Sequence, residues 1–269
     1  MFNPWRLSGT EAVLQKIVFE IKYFYGMTYL DRCGKTVNAI MSNYPEWTLA
    51  GDQPNPQAAP LVSLDNAARF HFGTKKLDMS LERRIGDDGL TVSEVDKFAI
   101  QSEAVSAEVI SQLGLNVFSR IGLRAWFVFA NDSSEATEKW LNALGCYSTS
   151  QSFLNAFGGQ LEATSVAVVV AGEDYKFRIA FNGVERQAQL DIGDGLLPVR
   201  ARDLPSGQRE ILLKQEKNKA KALRNSQHAA MIDVDMYQDD PVEFDTRHFI
   251  VNGFEMITSK LQAAVQVQK

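Results

Sequence analysis

Cysteine is scarce: Cys33 and Cys146 are the two in 269 residues, far apart in the chain. That excludes a disulfide-stapled scaffold, and the pair reads as two small apolar side chains in a reducing compartment. Histidine is nearly as scarce. His71, His228 and His248 fall at neither H-x-H nor i,i+4 spacing, and no cysteine stands beside them, so the sequence carries no zinc-type ligand set. Long apolar runs are also missing. The longest, Ala125–Ala130 and Val166–Ala171, are strand-sized, against the ~18 residues a membrane helix needs. The opening MFNPWRLSGTEAVLQK has no basic segment leading into an apolar one. A cytoplasmic location without membrane association is therefore expected. The phosphate cradles G-x-x-x-x-G-K-[ST] and G-x-G-x-x-G do not occur, nor does the nucleophile elbow G-x-S-x-G. Gly193-Asp194-Gly195, the nearest glycine pair, reads as a tight turn, and no cofactor is expected. Basic residues number 28 and acidic residues 33, a net charge of −5. That balance opposes wholesale coating of nucleic acid while leaving room for a local basic patch.

What is present is hydrophobic periodicity of two kinds. Residues 17–25 alternate, with Ile17, Phe19, Ile21, Tyr23 and Tyr25 on one face and Glu20 and Lys22 on the other, as in a half-buried strand. Residues 28–43 have helical spacing, with Thr28 as a candidate cap and Pro45 just beyond the end. Residues 51–60, with three prolines, read as an exposed loop. Two alternating runs between 67 and 85 meet at Gly73-Thr74-Lys75-Lys76 as a hairpin, and Asp87-Asp88-Gly89 is a further turn. Residues 91–113 make the clearest helix, with a Thr91/Glu94 capping box and Gly114 as its stop. Residues 117–130 form a long strand with Val117, Ile121, Leu123, Ala125, Phe127 and Phe129 on one side and Arg120, Arg124 and Trp126 on the other. Asp132 and Glu135 suggest a second capping box.

Strands are expected at 162–171, 175–182, 184–191, 196–202 and 209–214, with Asn182-Gly183 as a two-residue hairpin turn. A strand at 229–237 and an amphipathic helix at 245–265 close the chain. Strands and helices do not alternate strictly, which argues against a doubly wound parallel sheet. The fold class expected is α+β, a mostly antiparallel sheet with amphipathic helices on one face. The chain divides into two similar subdomains, residues 1–148 and a strand-rich 149–269.

Three polar features carry chemical interest. Asp233 and Asp235 share a strand face at period two, close enough to hold a divalent cation, with acidic residues just beyond. Magnesium-assisted phosphoryl chemistry would use them; a polar outer face of a sheet is the alternative. Arg120 and Arg124 also share a face, about 13 Å apart at ~3.3 Å per residue. Their guanidinium forks suit phosphate or carboxylate ligands, or ion pairs with Asp233 and Asp235 across strands. Lys214, Lys217, Lys219, Lys221 and Arg224 form a basic stretch that suits a nucleic-acid backbone by counterion release. It lacks interleaved aromatics for stacking, and a solvated face explains it equally. Glu20-Ile21-Lys22 spells the E-x-K of a nuclease core, but no aspartate precedes it to complete a metal site.

The run Ser119-Arg120-Ile121-Gly122-Leu123-Arg124 resembles the mid-chain Arg-Ile/Val-Gly-Leu-Arg strand of a group of uncharacterised prokaryotic proteins of similar length. Met231-Ile232-Asp233-Val234-Asp235 is similar to that group's Ile-Asp-x-Asp strand before a C-terminal helix, and Val18–Tyr23 to its first strand. Ala125-Trp126 departs from a Tyr-Asn pair common there. The group has no settled activity, and some members accompany bacterial gene clusters of accessory or defence type. The resemblance therefore implies an accessory or sensor subunit.

With no recognisable catalytic set, the reading is a non-enzymatic interaction protein, with a protein partner or homo-oligomer expected. Exposed aromatics at Tyr23-Phe24-Tyr25 and Trp126-Phe127 would form its interface. A metal-dependent enzyme on phosphate-containing substrates, or a nucleic-acid binder through Lys214–Arg224, are the alternatives.

Overall fold

A computed structural model describes residues 6–7, 10–24, 27–50, 58–83, 88–145, 165–186 and 227–266, with isolated positions between 150 and 158. Its centre is an antiparallel sheet of nine strands. In chain order these are β3 (Val13–Tyr23), β4 (Trp47–Leu49), β5 (Ala58–Ser63), β6 (Arg69–Gly73), β7 (Lys76–Glu82), β8 (Phe118–Asn131), β9 (Ser165–Ala171), β10 (Lys176–Arg186) and β11 (Gln227–Asp239). Two short strands, β1 (Arg6–Leu7) and β2 (Thr10–Glu11), pair with each other ahead of it. The spatial order is β4-β5-β6-β7-β3-β8-β11-β10-β9. Four helices pack on one face: α1 (Thr28–Asn43), α2 (Val92–Leu113), α3 (Ser134–Ala143) and α4 (Thr246–Gln266). The expected α+β class with a mostly antiparallel sheet is thus the observed one.

Alternation decides which face the helices cover. Ile17, Phe19 and Ile21 on β3, Ile121, Leu123, Ala125, Phe127 and Phe129 on β8, and Ile232, Val234 and Met236 on β11 all face the helices and are buried. They join Phe98, Val105 and Val109 of α2 and Phe249, Ile250 and Ile257 of α4 in one core. Strands from both sides of residue 148 are hydrogen-bonded in series, β3 to β8 to β11. The described strands of 1–148 and of 149–269 therefore lie in one sheet and contribute to one core.

Local signals place the helix ends. Both arms of the Thr91/Glu94 capping box form, and Gly114 ends α2 in the left-handed conformation at φ 65°. At α3 the cap is Ser133, which accepts from the Ala136 N–H, one residue later than the Asp132/Glu135 pattern suggests. Thr28 does not cap α1: its hydroxyl donates to the Leu113 carbonyl at 3.0 Å, tying α1 to the end of α2. Val37 and Ile40 are buried with Tyr29 and Thr36, while Leu30, at the same helical spacing, is 54% exposed. Val117 precedes β8 and is exposed.

Other expectations give way to packing. Residues 58–60 of the proline-rich stretch open β5 rather than a loop, and residues 51–57 lie outside the described residues. Asn182-Gly183 makes no turn. The two residues run straight through β10, opposite Met231 and Ala230 of β11. The glycine serves packing instead, because a Cβ at Gly183 would stand 2.9 Å from Glu138 Oε1 of α3. Helix proximity and a complete ladder on β11 outweigh the intrinsic turn preference of the Asn-Gly pair. The strands expected at 196–202 and 209–214, and all of Lys214–Arg224, lie outside the described residues.

Candidate functional site

The face of the sheet opposite the helices holds the polar residues that alternation turns away from the core. Glu20 and Lys22 come from β3, His71 from β6, Lys76 and Asp78 from β7, Arg120 and Arg124 from β8, Arg178 from β10, and Asp233 and Asp235 from β11. Register brings them into contact: Asp235 lies opposite Arg124 and Asp233 opposite Trp126. Each aspartate then reaches an arginine along the diagonal. Arg124 Nε donates to Asp233 Oδ1 at 2.7 Å and its Nη2 to Oδ2 at 2.5 Å, a two-pronged fork. Arg120 Nη2 donates to Asp235 Oδ2 at 2.7 Å. Arg178 Nη1 approaches Asp233 at 3.6 Å.

The pairing spreads across the neighbouring strands. Lys76 Nζ lies 3.0 Å from Asp78 and 3.2 Å from Glu20. Lys22 lies 3.4 Å from Glu20, and His71 Nδ1 3.4 Å from Asp78. Aromatic faces carry three of the cations: the Arg120 guanidinium sits 4.2 Å above Tyr237, and the Lys16 ammonium and Arg124 guanidinium 4.4 Å and 5.3 Å from the Trp126 ring. Gly122, without a side chain, leaves a depression of about 320 Å³ lined by Glu20, Lys22, Lys76, Asp78, Arg120, Arg124 and Asp235.

The electrostatics at three of these groups, Asp78, Lys76 and Arg124, favour the charged form. Burial pushes the Asp78 carboxyl up, but the His71 hydrogen bond and the Lys76 ammonium outweigh it and hold the group below its usual range. Burial likewise pulls Lys76 down, yet the carboxylates of Asp78 and Glu20 keep it above. The hydrogen bond to Asp233 holds Arg124 above its ordinary value. An acid–base site needs the reverse, a carboxyl raised or an amine lowered toward neutrality. Four cations line the depression against three carboxylates, and Asp233 beneath Arg124 makes the count even.

Asp233 and Asp235 therefore do share one face, as their spacing predicts, and so do Arg120 and Arg124. All four side chains are engaged with each other, and the Asp233 side chain is 4% exposed. Among the described residues, no group of three or more His, Cys, Asp or Glu comes together in a way that could hold a metal ion. Of the aromatics expected to be exposed, Phe24 is 52% exposed and others are not. Tyr23 and Phe127 are core residues, and Trp126 lies under Lys16 and Arg124. Tyr25 lies outside the described residues.

A second feature is the run Val166–Ala171, which the sequence marks as a strand without marking it as a site. Among the described residues β9 is one edge of the large sheet, and Val168, Val169 and Val170 on it are 40%, 60% and 52% exposed. The signal is in the sequence: SVAVVVA has four valines in seven residues, with no charge and no proline. What it lacks is the gatekeeper residue that usually blunts a free edge. The opposite edge, β4, has three residues, and its Trp47 is buried. No helix of the described residues is long and apolar enough to cross a membrane. Comparison of the chain with protein-family models, with curated proteins and with solved structures finds no match.

Proposed function

We propose that this chain is a non-enzymatic protein-interaction subunit that docks an extended strand of a protein partner along β9. The observation that carries the reading is that edge: seven residues, uncharged, with three consecutive valines in solvent. A free strand edge offers a row of unpaired N–H and C=O groups, and strand addition satisfies them while side-chain contacts select the partner. Valine is worth ~1.5–3 kcal/mol when fully buried, so covering three half-exposed valines contributes about 3 kcal/mol before ordering costs. The charge lattice on the open face supports the same reading from the other side. Its groups are paired, and Asp78, Lys76 and Arg124 are held in their charged forms, which suits a rigid platform and not a proton-transfer site. An accessory or sensor role is the physiological setting this proposal extends to.

The test is affinity capture with the wild-type chain and with Val169→Lys, which places a charge on the exposed edge. A partner recovered in stoichiometric amount by the wild type and lost with the variant is the expected result. Equal recovery by both proteins would refute strand addition at β9.

A further inference from the structure

We infer that the strand β9 accepts is β9 of a second copy, pairing antiparallel about a two-fold axis at Val168. This rests on the strand-addition reading above and names its partner.

The hydrogen-bond phase of the edge follows from the hairpin that builds it. Gly172 N donates to Tyr175 O at 2.9 Å across the Glu173-Asp174 turn, so Gly172 and Tyr175 are a hydrogen-bonded pair. In an antiparallel ladder such pairs alternate. Val170 with Phe177, Val168 with Ile179 and Val166 with Phe181 are in register and share that phase. Val166, Val168 and Val170 therefore spend their backbone groups on β10. Ser165, Ala167, Val169 and Ala171 turn theirs outward, toward the free edge.

A partner strand must put its own outward-facing residues opposite these. A second β9 does so when it runs antiparallel with Val168 on the axis. Ala167 then meets Val169 and Ser165 meets Ala171 as hydrogen-bonded pairs, each twice by symmetry. Val168 meets Val168 and Val166 meets Val170 as the close, non-hydrogen-bonded pairs in which β-branched side chains pack best. This register uses all seven residues, whereas centring on Ala167 or Val169 leaves two residues of each strand unpaired. The strand carries no charge, so self-pairing brings no like charges together. One patch serves both copies, the isologous arrangement of two-fold dimers, and the product is a continuous sheet of eighteen strands, nine from each copy. Neither copy then has a long free edge.

The register makes a sharp test. A non-hydrogen-bonded antiparallel pair places its Cα atoms about 4.5 Å apart, within the span of a disulfide. Val168→Cys should form an intermolecular disulfide on mild oxidation, identified by peptide mapping as residue 168 joined to residue 168. Val169→Cys, whose residue faces Ala167 of the other copy, should cross-link at least tenfold more slowly. Sedimentation of the purified wild-type chain should show a dimer, and Val169→Lys should shift it to monomer with an unchanged circular dichroism spectrum and a melting temperature that no longer depends on protein concentration. Val169→Pro is the second variant: it removes only an outward N–H, leaves the β10 hydrogen bonds in place and should also give a monomer. A monomeric wild type at 100 µM-scale (~10⁻⁴ M) concentrations, or a dimer indifferent to both variants, overturns the proposal. If the wild type is monomeric yet a stoichiometric partner is still lost with Val169→Lys, self-pairing fails while strand addition stands. If that partner is also indifferent to Val169→Lys, both fail.

Discussion

Replacing Arg124 by Met tests whether the charge lattice on the open face is structural. The Asp233 side chain is 4% exposed and the Arg124 side chain 42%, so the substitution strands a buried carboxylate while removing a half-solvated cation. Two charge-assisted hydrogen bonds are lost, at 2.7 and 2.5 Å. Breaking a fully buried pair from one side costs about 3–5 kcal/mol. Solvent around Arg124 and the remaining Arg178 contact at 3.6 Å reduce that here. The expected loss is about 2–3 kcal/mol, or roughly 5–10 °C in melting temperature for a chain of this size. Arg124→Lys should recover only part of it, because one ammonium cannot reproduce the fork. The combined variant Arg124→Met, Asp233→Leu should sit within about 1 kcal/mol of wild type, since no unpaired charge stays buried. Urea and thermal unfolding of these four proteins and of Asp233→Leu alone measure this directly. A loss below ~0.5 kcal/mol for Arg124→Met, or a combined variant as unstable as the two single losses added, would refute the argument.

Two further outcomes follow from groups described above. Glu94 accepts from the Thr91 backbone N–H and hydroxyl, both at 2.8 Å, and from Arg83. Burial pushes its carboxyl up, but these hydrogen bonds outweigh it and the group lies below its usual range, as does Asp78. A depressed carboxylate stabilises the fold above its unfolded pKa and loses that contribution as pH falls through the folded value. Stability should therefore decline on the acid side, and Glu94→Gln should cost about 1 kcal/mol at neutral pH while flattening that decline; a parallel pH curve for the variant would count against it. At Gly253 of α4 a Cβ would stand 2.5 Å from Met236 Cε and 3.1 Å from Leu123 Cδ2. Gly253→Val should therefore cost about 2 kcal/mol by overpacking, and an unchanged melting temperature would show that the Met236 side chain yields freely.

Much of the fold was legible because alternation and helical spacing are local properties. The buried faces of β3, β8 and α4 fall where period two and period 3.6 put them, down to Phe249, Ile250, Phe254, Ile257 and Leu261. The same periodicity placed Asp233 with Asp235 and Arg120 with Arg124 on common faces. It could not say that those faces meet. That depends on β11 returning to lie between β8 and β10, with Asp235 opposite Arg124. Once register decided this, two candidate metal ligands and two candidate anion clamps became two ion pairs. The Asn-Gly signal failed for the same reason, since continuous pairing of β10 with β11 outweighed a two-residue preference.

The valine run shows the division most clearly. The sequence by itself places a strand at 162–171, because β-branched side chains suit a pleated surface. Whether such a strand is buried between neighbours or left open is a property of sheet order. Only the tertiary structure put it last in the sheet, with one row of backbone groups on β10 and the other facing outward. The physical reason is that side-chain alternation is written into consecutive residues, whereas an edge is defined by the strand that is not there.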